Sequence, residues 1–539
     1  MAFEQYLNSM KRFYLLLCLF IVFLGSCQKE EVDPQPINTL AEVPVVEEFT
    51  ISQDSILLNP YGYAPLSAVV KYTTAIAGKT KITVKGKNGE DSDIVQEFDD
   101  LGLSHSVPIT GLYADYENTV DISLNNEIGQ AVAHSTITIK TNPLPANLPT
   151  FIEVNAAQID KMESGLNLVS SFSRYETGAA LAPLIVDNYG DIRWLLDYSK
   201  HYELKNLFFD CGISRLKNGN YYFADVINSK IYEVGILGQI LNTWSMPGYT
   251  FHHEVYEKPD GNFLASVSKP GSTHPDGTPT TEDYIIEISR QSGSIVNEWD
   301  LKESLDEHRT ALTTDTYDWI HINAVNYDPS DNTIIISGRT QGVIKLTYDN
   351  RVKWILSPHK EWGKNRRGED LNQFLLTPLD ANSNPITDPD VLIGNINHPD
   401  FEWSWYQHSP IFMPNGNLML FDNGDIRNYD PLAERYSRAV EYKIDKANMT
   451  IQQKWSYGKE RGLETFSRIV SSVKFLPGTN HVLFSPGYQV ENHNGKGGKI
   501  VEIDYASKQV VFEMEISSQN NWGFHRTERI ELYPFSSVL

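Results

Sequence analysis

Residues 232–244 read YEVGILGQILNTW, in which two apolar segments flank a glycine-rich turn and the second segment closes on Trp244. The pattern occurs six times along the chain, and the last copy has Met514 where the others have tryptophan. The other five copies are residues 185–194, 286–299, 345–354, 442–455 and 501–514. Short apolar segments joined by tight turns at a recurring spacing predict the β-hairpins of a repeat protein.

Between these copies lies a second recurring element, an apolar strand that leads into a tight turn. Asn-Gly, Asp-Gly and related turns supply the positive φ that short hairpin loops need. The turns are residues 217–220, 259–262, 329–332, 414–417 and 477–480. The two elements together give four strands per repeat, which predicts an all-β fold with a six-bladed β-propeller over residues 150–539.

One interval between repeats is much longer than the others, from Trp354 to Trp455. It is long enough for a seventh blade. We favour an insertion, because residues 360–400 are polar, rich in proline and poor in strand-like alternation. A long segment of this kind predicts a loop that covers the active face.

Two further segments precede the propeller. Residues 47–141 carry alternating stretches such as KITVK at 81–85 and STITI at 135–139, separated by Gly, Asn and Asp. This pattern predicts a small antiparallel β-sandwich domain. Residues 142–149 are rich in proline and predict a stiff linker.

The N-terminus resembles a bacterial lipoprotein signal. Two basic residues precede an apolar run, residues 13–24, which is short for a membrane span, and the run leads into GSC ending at Cys27. We interpret residues 1–27 as a signal peptide with Cys27 as the lipidation site, and residues 28–46 as a flexible tether. An uncleaved membrane helix is the alternative. The QKEE that starts the tether resembles a surface-lipoprotein signature of some Bacteroidetes, so the expected location is the outer membrane of a Gram-negative bacterium, on its periplasmic or surface face.

Charge and cysteine usage argue against two kinds of partner. The formal net charge of −24 works against binding to phosphate backbones, so we expect no nucleic acid. Cys18 lies in the signal peptide and Cys27 is the predicted lipid site, which leaves Cys211 alone. The sequence therefore predicts neither an intramolecular disulfide nor a thiolate metal site.

Several polar residues share a position relative to the tight turns. His408, His253 and Asn323 each precede the first residue of their turn by six residues, and His321 precedes its turn by eight. Even offsets place side chains on one face of a strand, and the innermost strand of each propeller blade lines the central channel. The spacing predicts that these side chains converge on the channel axis.

Three interpretations of the histidines are open on this evidence: separate structural histidines, a Zn²⁺ site made of three imidazoles, and an anion site. Arg339 follows His321 by 18 residues, and a guanidinium beside a metal cation would be repelled. We identify no carboxylate cluster in the predicted channel. Histidines combined with arginine favour an oxyanion substrate over a metal.

Long local motifs then resemble one family. The stretches DWIHIN at 318–323, YDPSDNTII at 327–335 and SGR at 337–339 resemble the arylsulfate sulfotransferase family, as do QH at 407–408 and FDNG at 421–424. The predicted sandwich also resembles the N-terminal domain of that family. The resemblance covers the chain from about Glu47 to its end.

The resemblance implies an enzyme that moves a sulfuryl group from an aryl sulfate donor to a phenolic acceptor, without a nucleotide donor, a cofactor or a metal. It implies that His408 is transiently sulfurylated, that His321 binds substrate and that Arg339 clamps the anion. It also implies one catalytic histidine from the His252-His253 pair, and strand alternation favours His253. Further expected substrate contacts are His252, Asn323, Asn423 and Arg427.

One departure from the family concerns the nucleophile. Enterobacterial members carry a disulfide close to it, whereas no cysteine here lies near His408. The insertion at 360–400 is a candidate for holding that loop instead. Two other functions stay open, a non-catalytic surface propeller that binds glycan or peptide and a sulfatase-like hydrolase. A homodimer is left open as well.

Overall fold

The computed structural model describes residues 46–145, 148–149, 151–172, 182–205, 207, 212–518 and 523–533. The predicted signal peptide with Cys27, nearly all of the predicted tether, and Cys211 lie outside these residues. Within them, no helix has the length and apolar character needed to cross a membrane. The α-helix of the described part, α1, is a single turn at Pro389–Leu392. Short 3₁₀ helices lie at Gln53–Ser55, Glu90–Ser92, Ile159–Lys161, Leu301–Glu303, Leu371–Phe374, Arg427–Tyr429 and Lys459–Thr465.

The first seven strands form a two-sheet sandwich around one long strand. They are β1 (Glu47–Glu48), β2 (Ile56–Leu58), β3 (Ser67–Val84), β4 (Ile94–Glu97), β5 (Gly102–Thr110), β6 (Glu117–Asn125) and β7 (Ala131–Lys140). The first half of β3 pairs with β2 and β5, and its second half pairs with β4 and β6. β6 continues antiparallel to β7, and β1 runs parallel to β7 at the edge. The predicted sandwich is confirmed.

The remaining chain forms six blades of four antiparallel strands, as the repeats predict. Blade 1 contains β9 (Leu166–Phe172), β10 (Leu184–Val186), β11 (Ile192–Leu195) and β34 (Gly523–Ile530). Blade 2 contains β12 (Ser214–Arg215), β13 (Tyr221–Asp225), β14 (Lys230–Val234) and β15 (Ile240–Ser245). Blade 3 contains β16 (Thr250–Glu257), β17 (Phe263–Ser268), β18 (Tyr284–Ile288) and β19 (Ile295–Asp300).

Blade 4 contains β20 (Ile322–Asp328), β21 (Thr333–Gly338), β22 (Gly342–Thr347) and β23 (Val352–Leu356). Blade 5 contains β25 (His408–Phe412), β26 (Leu418–Asp422), β27 (Arg438–Asp445) and β28 (Thr450–Tyr457). Blade 6 contains β29 (Ser472–Leu476), β30 (His481–Ser485), β32 (Gly495–Asp504) and β33 (Val510–Ser518), with β31 (Val490–Asn492) paired to β32. Every residue of β21 and β26 is buried, because neighbouring blades cover both faces of a blade.

The two ends of the propeller segment close the ring. β34, the last strand of the chain, pairs with β9 and becomes the innermost strand of blade 1. β8 (Phe151–Ala157) pairs with β33 on the outside of blade 6. Both pairings satisfy strand edges that would otherwise expose unpaired backbone groups.

The tryptophans that mark the sequence repeat link each blade to the next. Each indole lies on the outermost of the four blade strands, and four of the five donate their Nε1–H to a carbonyl in a hairpin turn of the next blade. The bonds are Trp194 to Ile236 O at 2.8 Å, Trp244 to Arg290 O at 2.8 Å, Trp299 to Thr347 O at 3.0 Å and Trp455 to Tyr505 O at 2.8 Å. Trp354 is the exception, since its buried Nε1 has no hydrogen-bond partner within the described residues.

The inner strands depart from the regular alternation assumed in the sequence analysis. The pairing register shifts between Phe251 and Val255 in blade 3, between Ile322 and Ala324 in blade 4, and between His408 and Ile411 in blade 5. The inner strand has two extra residues at the first shift and one at each of the others, and such extra residues turn a strand locally. The even offsets therefore do not explain why the histidines meet, because each histidine lies within an irregular stretch or is separated by one from its tight turn.

The insertion after blade 4 extends the outside of blade 5. Within it, β24 (Thr377–Leu379) runs parallel to β28, the outer strand of that blade. The prediction that this segment covers the active face is therefore wrong for β24, because β24 lies at the edge of blade 5 that is farthest from the channel. The apolar residues Leu376 and Val391 pack in one cluster with Trp403 and Trp405, which precede His408 in the chain.

We predict that Trp299→Phe lowers the free energy of unfolding by about 1–3 kcal/mol more than Trp354→Phe does. Both changes replace a buried indole with a smaller ring. The first also removes a hydrogen bond, that of the indole to the carbonyl of Thr347, whereas the second removes a buried N–H that has no partner within the described residues. The shift of the urea denaturation midpoint measures the difference. Equal shifts for the two variants would show that the indole hydrogen bond does not hold blades together.

Candidate active site

The side chain of His408 is buried, and its two ring nitrogens have different surroundings. Nδ1 lies 2.7 Å from Asn423 Oδ1 and 3.0 Å from the carbonyl of Tyr406. Asn423 Nδ2 donates to the carbonyls of Ser467 at 2.8 Å and Val470 at 3.0 Å, which turns Oδ1 towards the histidine. Because both neighbours of Nδ1 are acceptors, Nδ1 carries the hydrogen and the lone pair is on Nε2.

The surroundings of His408 also keep its ring neutral. Burial lowers the pKa of His408 to about 3, although its hydrogen bond to Asn423 opposes this, and electrostatic repulsion by His253, Arg339 and His321 lowers it further. A neutral imidazole with a lone pair on Nε2 is a nucleophile, whereas an imidazolium is not. His408 therefore keeps its nucleophilic form throughout the neutral and mildly acidic range.

The loop that carries His408 is held by polar groups of blades 4 and 5. The backbone carbonyl of Gln407 accepts from Asn323 Nδ2 at 2.9 Å and from Ser337 Oγ at 3.0 Å. The side-chain Nε2 of Gln407 donates to the carbonyl of Gly338 at 3.0 Å. The backbone N–H of Trp405 donates to Asp422 Oδ1 at 2.8 Å. These bonds and the packing of the insertion on Trp405 position the loop without a disulfide.

His253 and His321 form a close pair. Their Nε2 atoms are 2.9 Å apart and their ring centroids are 4.8 Å apart. The ring of His252 lies 5.2 Å from that of His253. His253 and His321 have positive φ values of 54° and 52°, which are uncommon for residues other than glycine. The backbone is thus bent at both positions in a way that brings the two rings together.

Two carboxylates complete this pair, so the expectation of a channel without a carboxylate cluster is wrong. Glu282 Oε2 lies 2.9 Å from His321 Nδ1, and it lies 3.8 Å from His252 Nδ1 and 3.8 Å from His253 Nε2. Asp318 Oδ2 lies 2.7 Å from His321 Nδ1. Asp318 lies within the DWIHIN motif quoted in the sequence analysis. Glu282 precedes β18, the third strand of blade 3, and no motif marked it.

The carboxylates set the charge of His321. Burial acts to lower its pKa, but Glu282 and Asp318 outweigh burial and raise the pKa of His321 to about 9. Burial likewise acts to raise the pKa of Glu282, but the positive charge of His252 and His321 holds it well below its usual range. At neutral pH the site therefore combines an uncharged His408 with a charged His321, a separation typical of acid–base pairs in enzymes.

Arg339 supplies positive charge that no carboxylate takes up. Its Nη1 lies 3.2 Å from His321 Nε2, and its guanidinium lies 5.7 Å from the ring centroid of Tyr406. In the described part of the chain, no Asp or Glu forms an ion pair with Arg339, and its Nε has no hydrogen-bond partner. A guanidinium in this state suits an oxyanion.

A fifth histidine, His525, was missed by the sequence analysis. It lies on β34, buried, with its ring centroid 6.2 Å from that of His253 and 6.5 Å from that of His408. The inner strand of blade 1 comes from the end of the chain, so no tight turn of the repeat follows it. His525 could have been found by asking which segment supplies the sixth inner strand. Ring closure requires one, and it comes from β34.

Parts of the cluster also have the spacing of a metal site. The donor atoms of His252, His253 and Glu282 lie within 4.8 Å of one another. However, Glu282 already pairs with His321, and the guanidinium of Arg339 adjoins the same ring. Positive charge at this distance opposes a cation and favours an anion, so we assign no metal ligands here.

Comparison with known proteins bears directly on this site. The family model described as Arylsulfotransferase (ASST) matches residues 152–525, and the model described as Arylsulfotransferase Ig-like domain matches residues 55–142. The chain belongs to the arylsulfotransferase family. It is therefore a sulfotransferase, and the six-bladed channel with its histidines lies within the matched residues.

Two curated proteins are similar to this arylsulfotransferase over most of its length. An arylsulfate sulfotransferase AssT of Escherichia coli O6:H1 is 31% identical over 86% of this chain and 90% of its own. An arylsulfate sulfotransferase AssT of Lelliottia amnigena is 30% identical over the same shares of the two chains. Among solved structures, a virginiamycin B lyase of Staphylococcus aureus is 12% identical, with a TM-score of 0.28 over 70% of this chain and 88% of its own.

The four expected substrate contacts of the arylsulfotransferase occupy different places. His252 lies beside Glu282, whereas Asn323 bonds to the backbone carbonyl of Gln407 and Asn423 bonds to the ring of His408. Arg427 Nη1 lies 3.0 Å from Asp422 Oδ2, and its guanidinium lies 4.0 Å from the ring centroid of Tyr436. No described contact links Arg427 to the histidines, so the structure does not bring it into the cluster.

We predict that Asn423→Leu lowers the turnover of the arylsulfotransferase roughly 10- to 100-fold, the usual effect of losing a group that orients a reactive histidine. The change removes the closer of the two acceptors that hold the hydrogen on Nδ1 and so weakens the preference for the tautomer with its lone pair on Nε2. Asn415→Leu is the matched control, because Asn415 lies in the turn after β25, the strand that begins at His408, and bonds to Glu441 rather than to the histidine. Steady-state rates with an aryl sulfate donor measure both. A similar loss in the control would assign the effect to the fold of blade 5.

Proposed function

We propose that this arylsulfotransferase moves a sulfuryl group from an aryl sulfate donor to a phenolic acceptor in two steps, through a sulfohistidine at His408. The observation that carries the proposal is the state of His408, a buried neutral imidazole with Nδ1–H fixed by Asn423 and its lone pair on Nε2. The charged groups Arg339 and His321 on neighbouring strands support it. Together they match the needs of nucleophilic attack on an anionic sulfate ester.

In the first step, the lone pair of His408 Nε2 attacks the sulfur of the donor. The new N–S bond forms as the S–O bond to the aryl group breaks, and the electron pair stays on the aryl oxygen. A proton from the His253–His321 pair neutralises that oxygen, so that a phenol leaves. Arg339 donates hydrogen bonds to the sulfuryl oxygens, and one donor of this kind contributes about 2.7–4 kcal/mol in comparable oxyanion sites.

In the second step, an acceptor phenol takes the place of the first. The same histidine pair removes its proton, and the phenolic oxygen attacks the sulfur of the sulfohistidine. The N–S bond breaks with its electrons returning to His408 Nε2, which restores the neutral ring. Each protein group ends the cycle in the state in which it began.

We predict that His408→Ala loses nearly all transfer, because no other described imidazole has its Nδ1 fixed by Asn423. Wild-type enzyme given a donor without an acceptor, and quenched at alkaline pH, gains the mass of one sulfuryl group on the peptide that contains His408. Peptide mass spectrometry measures the label. A label on another residue, or appreciable transfer by His408→Ala, contradicts the sulfohistidine.

Two controls separate transfer from the other functions considered. Product formation with and without a phenolic acceptor distinguishes transfer from hydrolysis, since a hydrolase turns over at the same rate in both. A protein that binds an aryl sulfate but never releases the phenol would be a binding propeller.

Arg339→Ala reduces transfer while retaining some label on His408, because the role of Arg339 is to stabilise charge.

We further propose that the chain is exported and held at the outer membrane by a lipid on Cys27. The support is the sequence alone, with its basic residues, short apolar run and GSC motif before Gln28. We predict that Cys27→Ala abolishes incorporation of radiolabelled palmitate in cells. Cys18→Ala, which changes a cysteine inside the apolar run, is the control and keeps the label. Lipid that persists in Cys27→Ala contradicts the anchor.

A further inference from the structure

Glu282 is held in place by its own backbone. It has a positive φ of 54°, close to the values of His253 and His321. Its N–H donates to Ser268 Oγ at 2.9 Å and its carbonyl accepts from the N–H of Ile322 at 3.3 Å. A backbone in this region is strained and persists only where its surroundings fix it, which is common at functional sites. The strain directs the carboxylate between three histidines.

The charged and titratable groups around His321 divide into two sides. Glu282 and Asp318 both face Nδ1, at 2.9 Å and 2.7 Å. His253 and Arg339 face Nε2, at 2.9 Å and 3.2 Å. The other titratable groups of the cluster are His252, His408 and His525. The two carboxylates hold a hydrogen on Nδ1, and their negative charge stabilises the imidazolium, whose second hydrogen lies on Nε2 and is directed towards His253.

We propose that Glu282, assisted by Asp318, is a positioning residue that keeps a transferable proton on the His253–His321 pair, and that it thereby adapts the enzyme to aryl sulfates of weakly acidic phenols. This inference rests on the proposed function. The pair carries the proton at rest, and Glu282 stays ionised and does not exchange it. The direction of the pKa shift of His321 agrees with this arrangement.

The proton matters most for donors whose phenol leaves reluctantly. As the S–O bond breaks, the electron pair moves to the aryl oxygen, and the pair of histidines transfers its proton to that oxygen and becomes neutral. An unsubstituted phenol has a pKa of about 10, like that of tyrosine, and is a poor leaving group without a proton. A nitro-substituted phenol is a stronger acid and leaves readily as the anion.

The test compares two donors in Glu282→Gln, a change that preserves size and removes the charge. We expect kcat/KM for phenyl sulfate to fall ~100-fold or more and kcat/KM for 4-nitrophenyl sulfate to fall less than ~10-fold, as for loss of a general acid. In the wild type, kcat/KM for phenyl sulfate falls as pH rises through about 9, where His321 loses its proton. In Glu282→Gln this fall in kcat/KM begins at a lower pH. In Glu282→Asp, which keeps the charge, the pH at which the fall begins moves part of the way back to the wild-type value.

The control variant is Glu298→Gln, which changes a carboxylate in the same blade that pairs with Lys269 rather than with a histidine. We expect its donor ratio and pH profile to match the wild type. Equal losses on both donors in Glu282→Gln, or an alkaline limb that does not move, would overturn the inference. The mass label on wild-type His408 is measured separately. If the label forms and the donor ratio is unchanged, the inference fails alone; if the label forms elsewhere, the proposed function fails, while the donor ratio still tests Glu282.

Discussion

The pairing of β34 with β9 is the constraint on which the active site depends. A propeller ring has no stable inner surface until its first and last blades are joined, because each blade buries its faces against its neighbours. Here the joining strand also carries His525 into the centre, within 6.2 Å of His253 and 6.5 Å of His408 by ring centroids. The step that completes the fold is thus also the step that completes the site.

Within that ring, the same residue type is given two opposite charge states. Burial next to the amide of Asn423 keeps His408 uncharged, and contact with Glu282 and Asp318 makes His321 an imidazolium. The chemistry proposed for this arylsulfotransferase needs both forms at one pH. The protein obtains them from neighbours on different blades, because Asn423 follows a strand of blade 5, whereas Glu282 precedes β18 of blade 3 and acts on His321 at the start of blade 4. The ring brings these groups together.

The sequence was sufficient for the architecture and for part of the site. Tight turns and closing tryptophans predicted the six blades, since hairpins and their turn residues are local features. The motifs predicted His408, His321 and Arg339, but alternation could not explain their meeting, because bulges interrupt the inner strands. Glu282 depends on a backbone bend fixed by distant hydrogen bonds. His525 depends on ring closure. Neither signal is local, so neither could be read from the chain.

The contact between blades 4 and 5 differs from the other contacts between blades that a tryptophan of the repeat makes, because the indole of Trp354 forms no hydrogen bond within the described residues. All five tryptophans of the repeat lie in apolar clusters, but four of them also attach to the next blade by a hydrogen bond. Trp354 has only its apolar cluster, which it shares with Leu376, Val391, Trp403 and Trp405. Apolar association weakens on cooling, while a hydrogen bond has no such dependence on the ordering of water. This contact therefore depends more on apolar packing than its neighbours do and weakens more on cooling, and the chain runs on from it to His408.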